Sequence, residues 1–253
     1  MRNYFCVFFS AIFLCLAVFD TAYGQTAIDS TGLLQTAVNK TSNIFYEAIG
    51  RQSSLYNGPR YYFYNPLKIQ GSPYFQETTS VAGNVFYDGL EYNNIQLIYD
   101  LYKDDLITVL YDGYSYFSLL KGGVQSFDLL NHHFININAD TLINNSVIKA
   151  GYYDELYGGR SQVLVKNTKT IKIIQNSTGT LEAYSTFSET DQSFFIRKDN
   201  IYYNVNSEGS FLSVFKTKKK QLQSYIRTNK LKFKKEPGQA LATIAAYYDS
   251  LSN

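Results

Sequence analysis

The chain has 253 residues, 45% of them hydrophobic and 17% charged, with 23 basic and 21 acidic residues for a net charge of +2 at pH 7. That length suffices to bury a core without covalent staples, and the composition is neither that of a disordered chain nor the strongly basic one of a nucleic-acid binder. Two cysteines and two histidines leave little for thiol, metal or imidazole chemistry, whereas 24 Tyr and 18 Phe without a Trp favour pleated sheet.

Met1-Arg2-Asn3, an apolar run over 4–19 and Asp20-Thr21-Ala22-Tyr23-Gly24 have the layout of a secretory signal peptide, with cleavage after Gly24. The run is shorter than the ~20 apolar residues that cross a bilayer core, and Cys15, preceded by Ile12-Phe13-Leu14, is badly placed for lipidation. Cleavage removes Cys6, Cys15 and the sole methionine, so residues 25–253 form no disulfide. A thiol-free exported chain of this size points to the periplasm, outer surface or medium of a bacterium. Glycosylation triplets at Asn39, Asn144 and Asn176 are expected by chance in an Asn-rich chain.

After the cut, Leu33, Leu34, Ala37, Val38, Thr41, Ile44, Phe45, Ala48 and Ile49 recur at helical spacing and Gly50 follows as a cap, which predicts a helix over 30–49. Asn57-Gly58-Pro59 and Asn65-Pro66 then flank the aromatic run Arg60-Tyr61-Tyr62-Phe63-Tyr64 as turns. From about residue 74 to 212, short apolar or alternating runs are broken by Gly, Asn and Asp. They predict strands at 84–87, 95–99, 106–111, 114–119, 125–129, 133–137, 151–156, 161–165, 170–174, 181–184, 194–197 and 201–205, with Asp112-Gly113, Lys198-Asp199-Asn200 and Glu208-Gly209 among the turns. Short links imply antiparallel pairing. The segment 85–92 matches 109–116, each a strand ending in Tyr followed by Asp-Gly, and reads as similar neighbouring hairpins rather than a repeat architecture.

Phe211, Phe215, Leu222 and Ile226 share a helical face, the run 230–234 alternates as a Lys-guarded edge strand or extended link, and Pro237 opens a last helix with Leu241, Ile244, Ala245, Tyr248 and Leu251 inward. The predicted architecture is therefore α+β and β-rich: a signal peptide over 1–24, then one domain over 25–253. That domain comprises a helix at 30–49, a large curved antiparallel sheet or clam-like partial barrel over about 60–212, and helices at about 211–228 and 237–251. An outer-membrane barrel needs strands of about 9–11 residues, longer than most of these runs, and two helices follow them.

Candidate chemistry is sparse. His132 and His133 are neighbours in a strand, so they face opposite ways and cannot share a metal or substrate. Among Asp88, Glu91, Asp100, Asp112, Asp154 and Glu155, the Asp-Gly positions 88 and 112 are explained as turns; Asp154-Glu155 interrupts a strand and is the one pair open to a hydrolytic reading. No residue is assigned as catalytic, cofactor-binding or metal-ligating, and no cofactor is implied. Nine cations and no acid lie between Lys216 and Lys235. The rest of 25–253 has 13 basic and 20 acidic residues, net −7. Lys216, Lys218, Lys219 and Lys220 are the candidates for contact with an anionic surface such as envelope lipid or glycan, and nucleic acid is not expected for an exported chain.

Leu55-Tyr56-Asn57-Gly58-Pro59-x-Tyr61, Val85-x-Tyr87-Asp88-Gly89, Ile95-x-Leu97-x-Tyr99-Asp100-Leu101 and Gly151-Tyr152-Tyr153-Asp154-Glu155-Leu156-Tyr157 together resemble a group of uncharacterised exported bacterial envelope proteins. The resemblance supports the compartment and implies no activity. The expected function is non-catalytic binding or envelope association, with a hydrophobic or glycan ligand in the concave face of the sheet. The rivals are a carboxylate-dependent hydrolase of envelope glycans and a structural scaffold without a small ligand.

Overall fold

The computed structural model describes residues 40–41, 54–110, 112–138, 147–175 and 183–251. Contacts divide the chain into a unit over Met1–Ser42 and a unit over Asn43–Asn253. Lys40 and Thr41 are helical; the rest of the predicted 30–49 helix, and the 1–24 segment, lie outside the described residues.

The larger unit is β-rich. Its strands are β1 (Ile69–Gln70), β2 (Val81–Tyr87), β3 (Leu90–Asp100), β4 (Asp105–Val109), β5 (Tyr116–Ser118), β6 (Val124–Leu129), β7 (His132–Ile137), β8 (Gly151–Gly158), β9 (Gln162–Thr168), β10 (Ile171–Ile174), β11 (Tyr184–Phe187), β12 (Asp191–Lys198) and β13 (Ile201–Asn204). A 10-stranded antiparallel sheet runs β13-β12-β9-β8-β7-β6-β2-β3-β4-β5, and a 3-stranded one runs β1-β11-β10. The large sheet is open, with β5 and β13 as its edges. Two-residue turns with both residues at positive φ join β2 to β3 (Asp88, Gly89), β6 to β7 (Leu130, Asn131) and β12 to β13 (Asp199, Asn200), the twist that tight hairpins require.

The sheet curls strongly. Tyr99 of β3 and Tyr152 of β8 have ring centroids 5.8 Å apart although four inter-strand steps separate their strands, about 19 Å on a flat sheet. The rings of Phe127 and Phe134 stack 4.6 Å apart between them. This concave face is packed solid: Val85, Tyr87, Tyr92, Leu97, Tyr99, Phe127, Phe134 and Tyr152 are each at most 1% exposed. The same face continues across β9 and β12, where Val163 and Ile196 pack under the helices with Phe211, Phe215, Leu222, Leu241 and Ile244.

Three helices follow the strands: α1 (Glu208–Val214), α2 (Lys219–Thr228) and α3 (Pro237–Ser250). Ser207 caps α1 through a reciprocal box with Ser210. The helix predicted over about 211–228 is thus two, broken by a 3-10 turn at Lys216–Lys218, where the buried Phe215 leaves helical geometry at φ −108° and ψ 46°. Glu208-Gly209 is the first turn of α1 rather than a loop. The run 230–234 forms turns, not a strand: Leu231 and Phe233 pack on the helical core, and Leu231 N–H donates to Ile226 O, closing α2. The strand predicted at 181–184 is displaced to β11, its first two residues lying outside those described. Pairing of β1 with β11 is parallel and was not expected.

Candidate functional site

The carboxylates come first, because a hydrolase needs two of them free. Asp100, fully buried at the end of β3, accepts from the Tyr61 hydroxyl (2.8 Å), the Tyr64 hydroxyl (2.9 Å), and the backbone N–H groups of Tyr102 (2.9 Å) and Lys103 (3.0 Å). Burial, then the Tyr74 hydrogen bond, raises the Tyr61 pKa; burial, then the Asp100 hydrogen bond, raises that of Tyr64. The aromatic run after Pro59 is therefore tied down by one carboxylate. Asp104 binds the Tyr99 hydroxyl (2.7 Å), Lys166 Nζ (2.6 Å) and Lys121 Nζ (3.0 Å). Burial depresses the Lys166 pKa against the opposing pull of Asp104. Asp112 closes its own loop by accepting from Tyr114 and Ser115 N–H, both at 2.9 Å. Asp249 of α3 receives the Tyr157 hydroxyl (3.1 Å), Ser161 N–H (3.0 Å) and the Ser161 hydroxyl, fastening the last helix to the β8–β9 hairpin.

The Asp154-Glu155 pair does not converge on a substrate. Asp154 lies opposite Phe134 on the concave face, and Glu155 lies opposite Leu164 on the other. Each instead meets a histidine. His132 Nδ1 is 2.7 Å from Asp154 Oδ2, and its Nε2 is 3.2 Å from the Gln76 amide nitrogen. Since that amide can only donate, neutral His132 carries its proton on Nδ1 and gives it to Asp154. Burial raises the Asp154 pKa, partly offset by His132. His133 Nδ1 is 2.6 Å from Asp128 and its Nε2 3.9 Å from Glu155. The expectation that the two histidines face opposite ways holds in the register, and each is engaged by a carboxylate. His132 resembles half of a triad in geometry alone: its outer nitrogen meets an amide, which is no nucleophile. No group of three or more His, Cys, Asp or Glu suited to a metal occurs among the described residues.

A 410 Å³ cleft opens where β12 and β13 meet α3 and the 230–236 link. It is lined by Phe194, Phe233, Val205, Pro237 and Leu241 on the apolar side and by Gln192, Ser193, Asn204, Asn206 and Ser207 on the polar side. Gln192 reaches back to donate to Asn167 Oδ1 at 2.9 Å, and the buried Asn167 amide nitrogen has no acceptor among the described residues. None of the lining residues is ionisable. The sequence carries no motif for this cleft: its residues come from β12, β13, the α1 cap and α3, and only the uncharged stretch Asn204-Val205-Asn206-Ser207 hints at it. Lys216, Lys218, Lys219 and Lys220 line a separate 360 Å³ hollow with Thr217 and Gln221.

No family model matches this sequence, and no curated protein or solved structure is significantly similar to it. Among the described residues no helix is long and apolar enough to cross a membrane.

Proposed function

We propose that the protein is an exported, non-catalytic binding protein of a bacterial envelope, with a neutral glycan held in the cleft between β12, β13 and α3. In this reading the curled sheet is a partial barrel whose concave face is filled with rings in one half and covered by helices in the other, and the cleft is the space the helices leave open. The lining carries the proposal. Sugar rings offer C–H faces to Phe194 and Phe233, and hydroxyls that both donate and accept to the amides and hydroxyls of Gln192, Ser193, Asn204, Asn206 and Ser207. A charged ligand would lose its hydration there without gaining an ionic partner. Binding rather than turnover is favoured because Asp100, Asp104, Asp154 and Asp249 are all engaged by groups of the fold. Isothermal titration against a panel of neutral oligosaccharides tests this. Saturable binding, weakened at least tenfold by Asn204→Ala and Phe233→Ala in variants that melt normally, is the expected result; no binding, or cleavage of the glycan, overturns it. Export is tested separately: the mature chain begins at Gln25 outside the cytoplasm, and an intact Met1 in the cytoplasmic fraction counts against it.

A further inference from the structure

The nine cations between Lys216 and Lys235 form the densest positive run in the sequence. Lys121 and Lys166 hold Asp104, Lys198 holds Asp199, and Arg160 binds the Asp249 carbonyl. By contrast, Lys216, Lys218, Lys219, Lys220, Arg227, Lys230, Lys232, Lys234 and Lys235 make no ion pair among the described residues, and all but half-buried Lys218 are exposed. They come from three consecutive segments, the 3-10 turn, α2 and the link to α3. Within the link, Leu231 and Phe233 turn into the helical core while Lys230, Lys232, Lys234 and Lys235 stay in solvent. This stretch of the chain is thus polar and positive, with Leu231 and Phe233 already packed inward, and the remainder of the sequence carries the opposite charge.

We infer that this helical end adsorbs to the phosphate layer of an anionic phospholipid bilayer, without inserting into it. A bilayer fits because it presents phosphates as a two-dimensional array, matching cations spread over three segments, and because the hollow lined by Lys216, Thr217, Lys218, Lys219, Lys220 and Gln221 is open to a headgroup. The acidic remainder is repelled by the same surface, so the adsorbed molecule is oriented with its helices down. Phe233, which lines the cleft, lies between Lys232 and Lys234 in the chain, which sets that wall of the cleft beside the headgroup layer. The inference does not depend on what the cleft holds.

Cosedimentation of the purified chain with vesicles tests it. Vesicles of phosphatidylglycerol in phosphatidylcholine are expected to bind the protein, pure phosphatidylcholine is not, and about 0.5 M NaCl releases it. The combined Lys218→Glu, Lys219→Glu, Lys220→Glu variant should lose at least about tenfold in partitioning, and the same three positions changed to Arg should retain it. Lys232→Glu with Lys234→Glu provides an independent reduction should the first variant misfold. Absence of binding to the anionic vesicles, binding equal on neutral ones, or reversal variants that melt normally and bind as before would overturn the inference. Displacement by alginate at equal charge concentration would reassign the face to acidic polysaccharide.

Discussion

Tyr99 and Tyr152 meet edge to face inside the curl, both about 1% exposed, and differ in what their hydroxyls touch. The Tyr99 hydroxyl donates to Asp104, whereas that of Tyr152 has no partner among the described residues. Removing a hydroxyl that donates to a carboxylate costs about 1.5–3 kcal/mol, while an unpaired buried one is itself a penalty. Tyr99→Phe should therefore destabilise by about 2 kcal/mol, and Tyr152→Phe should be neutral or stabilising by up to about 1 kcal/mol. Urea unfolding of both variants decides; equal losses at the two positions would refute the assignment. Asp105 supplies a pH counterpart. Burial raises its pKa above the ordinary 3.8, the Ser118 hydrogen bond only partly opposing it. The folded state therefore holds the proton more tightly than the unfolded one, and the contribution of Asp105 to stability declines as pH rises from about 4 through the raised value. Asp105→Asn keeps an acceptor for Ser118 Oγ, 3.1 Å away, and removes that slope. Its stability relative to the parent should rise between pH 4 and pH 7, and a constant difference across that range would refute the shift.

At the scale of elements, the edge of the sheet shows what local sequence conveys and what it does not. β5 is only three residues long, and its outer side is covered by residues 59–61: Ser118 N–H donates to Pro59 O (2.9 Å) and Tyr61 N–H to Tyr116 O (2.8 Å). Gly58 makes the approach possible, since a Cβ there would collide with the Ser118 carbonyl. Gly58→Ala should lift this cover, destabilising by about 2–4 kcal/mol and opening residues 59–64 to limited proteolysis; normal resistance would show the cover to be dispensable. From sequence, Asn57-Gly58-Pro59 was legible as a turn, but not as a clasp on a strand some 60 residues later. The strands themselves were legible because period-two alternation and Asp-Gly or Asp-Asn turns are local signals. Their order was not: β6 returns beside β2 rather than β5, which depends on the curl. The two Asp-Gly copies also diverge: Asp88-Gly89 makes a two-residue hairpin, whereas Asp112 caps a wider loop. For the histidines, opposite facing followed from alternation, but their carboxylates lie across the sheet at separations no motif records.

At the scale of the whole folded unit, two interiors share one sheet, and β8 belongs to both. Tyr152 lies in the ring-filled interior, Leu156 and Tyr157 pack into the helix-covered one, and a bulge between Glu155 and Tyr157 marks the change. Tyr153 faces the opposite side with Leu164 and Phe195, its hydroxyl bound to the Lys149 carbonyl at 2.8 Å and its pKa pushed up to about 12 by burial. β8 pairs with β7 over Gly151–Asp154 and with β9 over Asp154–Gly158, so one continuous backbone, held from both sides at Asp154, ties the two halves of the sheet together. The sheet should therefore unfold as a single cooperative unit despite its separate cores. Leu241→Ala, which opens a cavity under α3, should lower global stability by about 2–5 kcal/mol. It should also reduce the hydrogen-exchange protection of β2 and β3 amides, on the far side of the sheet, by the same free energy as that of β9 and β12. If protection fell only in β9, β12 and the helices while β2 and β3 kept theirs, the two interiors would be separate folding units, and β8 would be the hinge between them rather than their common wall.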